Sequence, residues 1–67
     1  MNIETIYENR SRSANLTDEE LRYAVPFFRK LADDLSACGP IFKLAYREAN
    51  DVFFTLKGHA NTRGLNI

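Results

Sequence analysis

The sequence predicts an all-α protein, an antiparallel helical hairpin preceded by a short N-terminal helical segment. Three observations carry that reading. Two stretches of about twenty residues repeat apolar side chains three and four apart, the spacing of one helix face. Each stretch is bounded by residues that start or stop helices. Only Gly39-Pro40 separates them, and so short a turn folds the second helix back along the first.

Residues 1–15 form the N-terminal segment and its linker. Ile3, Ile6, Tyr7 and Arg10 stand at i, i+3, i+4 and i+7, a helical pattern, although Ile3, Thr5 and Tyr7 also alternate as a strand would. Residues 9–15 are polar throughout except for Ala14 and read as linker.

The first long helix is predicted over 17–38. Thr17-Asp18-Glu19-Glu20 is a capping box, with Leu16 and Leu21 placed as a hydrophobic staple. The three acids complement the positive end of the helix dipole. Its apolar seam is Leu21, Ala24, Phe28, Leu31, Leu35 and Cys38, a coiled-coil rhythm. Pro26 falls inside the helix, where it removes a hydrogen bond at a cost of about 3 kcal/mol. It lies opposite the seam, so the helix is expected to kink there around its partner. The alternative, two helices split at Pro26, would use Val25 as N-cap, a poor one.

The second long helix is predicted over 40–58. Pro40 suits a first turn, and Gly39 and Gly58 suit the positions just after helix ends. Its seam is Phe42, Ala45, Ala49, Val52 and Leu56. Ala24, Ala45 and Ala49 are small enough for the two axes to approach closely. Residues 59–67 hold only Ala60, Leu65 and Ile67 as apolar content and are expected to form a flexible tail.

The 67 residues make one domain. Nine bases balance nine acids, so nothing draws the chain as a whole to nucleic acid or to an anionic membrane. One Cys makes no internal disulfide, and one Cys with one His supplies no zinc ligand set of the usual kind. No apolar run reaches a membrane span, and the acidic N-terminus does not resemble a signal peptide. A cytoplasmic protein without cofactor or membrane partner is expected.

The reactive residue types have bland readings. Cys38 falls on the seam and at a helix C-terminus, where the dipole disfavours a thiolate, so it reads as core. A dimer could still join two copies of it. His59 reads as solvated. Glu48 and Asp51 read as an outer face paired with Lys43 and Arg47. No phosphate loop or nucleophile elbow is present.

The two seams leave Tyr23, Phe27, Leu44, Phe53 and Phe54 over. A chain this short buries only about 60% of its surface, and oligomerisation is a usual remedy. Those residues are therefore assigned to an interface, either of a homodimer forming a four-helix-type bundle or with a different protein. The functional expectation is a small non-enzymatic interaction module, an inhibitor, adaptor or accessory regulator, of a kind common in bacterial and phage genomes. The alternative is a dimeric DNA-binding regulator using Arg10, Arg12, Arg22 and Arg29 on phosphates. With a short strand in place of the N-terminal helix, the element order is similar to that of ribbon-helix-helix repressors, except that the first long helix is too long, the turn offers no Ser or Thr cap to the second, and Glu4 and Glu8 would sit in the reading strand.

Overall fold

A computed structural model describes all residues, Met1–Ile67. Three α-helices are present, α1 (Ile3–Glu8), α2 (Asp18–Ala37) and α3 (Lys43–Thr62), and no strand. Short 3₁₀ turns at Ser13–Asn15 and Pro40–Phe42 precede α2 and α3.

α1 resolves the helix-or-strand ambiguity through its ends. Asn2 Oδ1 accepts from the Glu4 N–H at 2.9 Å and from the Thr5 N–H at 3.4 Å, an N-cap the apolar pattern does not announce. At the other end Asn9 Nδ2 donates to the Thr5 carbonyl and Arg10 Nη1 to the Tyr7 carbonyl, at 2.9 and 2.8 Å. A six-residue helix has most of its backbone groups at an end, so these side chains matter more here than propensity does.

α2 begins as expected. The Glu20 N–H donates to Thr17 Oγ1 at 3.0 Å, and the Thr17 N–H donates back to Glu20 Oε1 at 2.9 Å. Leu16 and Leu21, the staple pair, both enter the core. The helix then runs unbroken through Pro26, which rules out the split at that residue. Pro26 is exposed, so water can serve the Arg22 carbonyl that loses its helical donor.

The seams differ from the expected ones in a systematic way. α2 buries Leu21, Ala24, Val25, Phe28 and Ala32; α3 buries Ala49, Val52, Leu56 and Ala60. Leu31, Cys38, Phe42 and Ala45 are exposed and Leu35 is half-buried. An α-helix of 3.6 residues per turn drifts about 20° per heptad against a strict seven-residue seam. On α2 the expected stripe has rotated out of the contact by the turn end of the hairpin, and Ala32 replaces Leu31. Cys38 is accordingly a free, exposed thiol rather than a core residue.

The second cause is where the third layer sits. α1, the linker and the chain's last residues all gather at the open end of the hairpin. Ile6, Leu16, Leu21, Ala24, Val25, Phe28, Val52 and Leu56 form one core there, with Ile3, Tyr7, Phe53, Leu65 and Ile67 packed against it. The turn end has no such cover.

α3 does not stop at Gly58. It continues to Thr62 and ends on a Schellman motif: the Leu65 N–H bonds the Ala60 carbonyl at 2.9 Å and the Gly64 N–H bonds the Asn61 carbonyl at 3.0 Å, with Gly64 at φ +74°. Leu65 and Ile67 then fold onto the core, so the expected tail is docked. Arg63 holds this end in place. Its Nη1 lies 2.9 Å from Asp18 Oδ1 and its Nη2 donates to the Ser13 carbonyl. His59 is half-buried rather than solvated, and its Nε2 donates to the Arg10 carbonyl at 2.8 Å.

The two interior glycines therefore predict opposite results. Gly39 ends α2 at φ +98°, ψ −178°, a region nearly closed to other residues, so Gly39→Ala should destabilise by about 1–3 kcal/mol. Gly58 is helical, and a β-carbon there meets nothing within 4 Å. Gly58→Ala should raise stability by about 0.5–1 kcal/mol. Urea denaturation of both variants checks the pair; equal signs would contradict the assignment of helix ends.

Candidate functional site

α1 leans against α2 at the open end and leaves an open groove between them, about 440 Å³, lined by Ile3, Glu4, Tyr7, Glu8, Phe27, Phe28 and Leu31. Phe28 is its buried floor. The Tyr7 and Phe28 rings lie 6.5 Å apart, and Phe27 meets Phe28 edge-on at 5.2 Å and 80°. Tyr23 stacks on Phe27 at 6.1 Å, extending the aromatic wall along α2. Phe27 and Leu31, on the α2 lip, remain exposed. Glu4 and Glu8, one turn apart on α1, form the acidic rim, and neither makes an ion pair.

α1 is tied to α3 as well. The Tyr7 hydroxyl donates to Glu48 Oε1, and the Arg10 guanidinium stacks 4.0 Å above the Tyr7 ring and lies 3.9 Å from Glu48. Glu48 thus serves α1, where an outer-face pairing with Lys43 or Arg47 was expected. The hydrogen bond to Glu48 holds the Tyr7 proton and, with burial and the neighbouring carboxylate, raises the Tyr7 pKa above its ordinary value; Arg10 opposes this. Neutral tyrosine is the form the fold favours. Its contribution is complete below about pH 10 and is lost as the pH rises through the raised value. Glu48→Gln should therefore lower the Tyr7 ionisation toward about pH 10. Tyrosinate absorbance checks it, with Tyr7→Phe identifying which transition is Tyr7's. An unmoved transition would mean that Glu48 does not hold the proton.

The structure separates the residues assigned to an interface. Phe27 lines the α1–α2 groove, and Tyr23 stacks on it from outside the lining. Phe53 is half-buried and packs against the core, leaning on Phe54 with ring centroids 5.1 Å apart. Phe54 itself is 61% exposed on the outer side of α3. Leu44 is 78% exposed near the turn, beside Ile41 at 87%. Ile3, Tyr7 and Leu31 are the groove residues the sequence reading did not single out. Their signal was the period of α1 itself, since Ile3 and Tyr7 are i and i+4.

The four arginines considered for nucleic acid do not gather. Arg10 is half-buried and engaged by Tyr7 and Glu48. Arg12, Arg22 and Arg29 are exposed, with Arg29 lining a notch with Val25, Pro26, Phe53, Lys57 and Ile67 on the other side of α2 from the groove. No helix is long and apolar enough to cross a membrane. Comparison of the chain with protein-family models, with curated proteins and with solved structures finds no match.

Proposed function

We propose that this protein is a small non-enzymatic interaction module that associates with a second copy of itself and acts as an inhibitor, adaptor or accessory regulator by covering a partner's surface. One observation carries this reading: an aromatic-walled groove stays uncovered while the core beside it is closed. Phe27 and Leu31 forgo burial in a chain short of core, and aromatic side chains with a charged rim are the usual anatomy of a protein contact. The groove is also built rather than incidental. Asn2, Asn9, Tyr7 and Arg10 all spend their polar groups on shaping or fastening α1, which forms one of its walls.

The test is capture from the native host's lysate with wild type and Phe27→Asp, beside retention of both on DNA at low and high salt. Phe27 is 39% exposed, and an unchanged circular dichroism spectrum is required of the variant before its capture is compared. Specific capture by wild type and its loss in Phe27→Asp support the reading. Equal capture by both, or salt-sensitive retention on DNA with no protein captured, overturns it.

A further inference from the structure

We infer that the α1–α2 groove is filled by the outer face of α3 from a second copy of this chain, with Phe54 as the inserted side chain. The inference rests on the interaction reading above and specifies the contact.

The chain is neutral overall but distributes its charge unevenly among the helices. α1 carries two acids and no base, and α2 five acids against three bases. α3 carries three bases against two acids. One of those acids, Glu48, is turned toward α1 and engaged there. At 100° per residue, Lys43, Arg47, Asp51 and Phe54 form one stripe on the side of α3 away from its buried residues. The stripe holds two bases against one acid. Lys43 and Arg47 make no ion pair.

The stripe and the groove are complementary in both chemistry and shape. The groove is concave, apolar and aromatic, and its free charges, Glu4 and Glu8, are negative. The stripe is convex, positive on balance, and has one large apolar side chain. The Phe54 ring lies 5.1 Å from that of Phe53, tilted by 59°, and Phe54 is 61% exposed. A volume of about 440 Å³ readily takes one phenyl ring. Lys43 and Arg47 lie on the same stripe within three turns of Phe54, which suits contact with the carboxylates at the groove's rim. Opposed charges at the rim of an apolar contact set partner and register more than they add affinity.

Because groove and stripe are different surfaces, each variant that disables one leaves the other intact. The experiment is sedimentation equilibrium of wild type, Phe27→Asp, Phe54→Asp and an equimolar mixture of the two variants. Both positions are exposed, and unchanged circular dichroism confirms the fold. Wild type should self-associate with rising concentration and less so at high salt. Each variant alone should weaken association about tenfold or more. The mixture should regain a dimer, through the intact groove of Phe54→Asp and the intact stripe of Phe27→Asp. A wild type that stays monomeric, a variant that associates as wild type does, or a mixture with no more dimer than its components overturns the inference. If wild type is monomeric and capture of a partner is nonetheless lost on Phe27→Asp, the second copy fails as occupant and as associate, and the covering of a different protein's surface stands.

Discussion

Leu56→Ala should leave little folded protein at room temperature. Leu56 is fully buried and lies among Ile6, Leu16, Leu21 and Phe28, at the level where α1, α2 and α3 meet. Truncating such a leucine removes about 2–5 kcal/mol. A core in a chain of this size supplies no more than about 3–5 kcal/mol of net stability. The two quantities are of the same size, so the variant should lose its cooperative thermal transition or show it lowered by ten degrees or more, given about 4–8 °C per kcal/mol at this length. Phe54→Ala, two residues away, is the control. It removes a larger side chain from an exposed position and should stay within about 0.5 kcal/mol of wild type at concentrations too low for association. Thermal melts followed by circular dichroism measure both. A Leu56→Ala protein that melts with wild type would place the core elsewhere.

That contrast also marks how far the sequence could be read. The second seam placed Leu56 and Val52 inside, and the first placed Leu21, Ala24 and Phe28 inside, all correctly. On α2 the residues read correctly precede the point where a 3.5-residue and a 3.6-residue period part, and nearer the turn Leu31 and Cys38 left the core. Phe42 and Ala45 keep the phase of α3's buried face and are exposed because nothing covers the turn end. Local chemistry was legible: the Thr17–Glu20 box is four residues wide and the Gly39 stop is one. The end of α3 was not. Gly58 has the composition of a stop, but its helical conformation is held by groups far away in sequence. Arg63 reaches Asp18 and Ser13, His59 reaches Arg10, and Leu65 and Ile67 reach the core. No window of neighbouring residues contains those partners. The groove was half legible for the same reason. Tyr23 and Phe27 announced themselves as leftovers on α2, whereas the opposing wall depends on where a six-residue helix docks.

That docking has its own consequence. Ile6→Ala should detach α1 from the hairpin. A helix of six residues has no stability of its own in water, because nucleation outweighs so few hydrogen bonds. α1 persists because Ile6 is fully buried against the hairpin, with Ile3 and Tyr7 beside it and the Tyr7–Glu48 bond at its edge. Replacing the isoleucine by alanine removes about 2–5 kcal/mol, more than one hydrogen bond to an exposed carboxylate returns. The loss need not be passed on in full to α2 and α3, since releasing α1 costs less than unfolding all three helices. Amide exchange should therefore lose its protection over residues 6–9, while the amides of Val52 and Leu56 weaken but stay measurably protected. The Tyr7 transition should return toward about pH 10, because Glu48 no longer holds its proton. Self-association should fall as well, although Ile6 does not line the groove, because one wall of the groove leaves with α1. Unchanged protection at residues 6–9 would mean that α1 is anchored by its polar contacts alone. Loss of protection with undiminished association would mean that the contact between copies does not use the α1 wall.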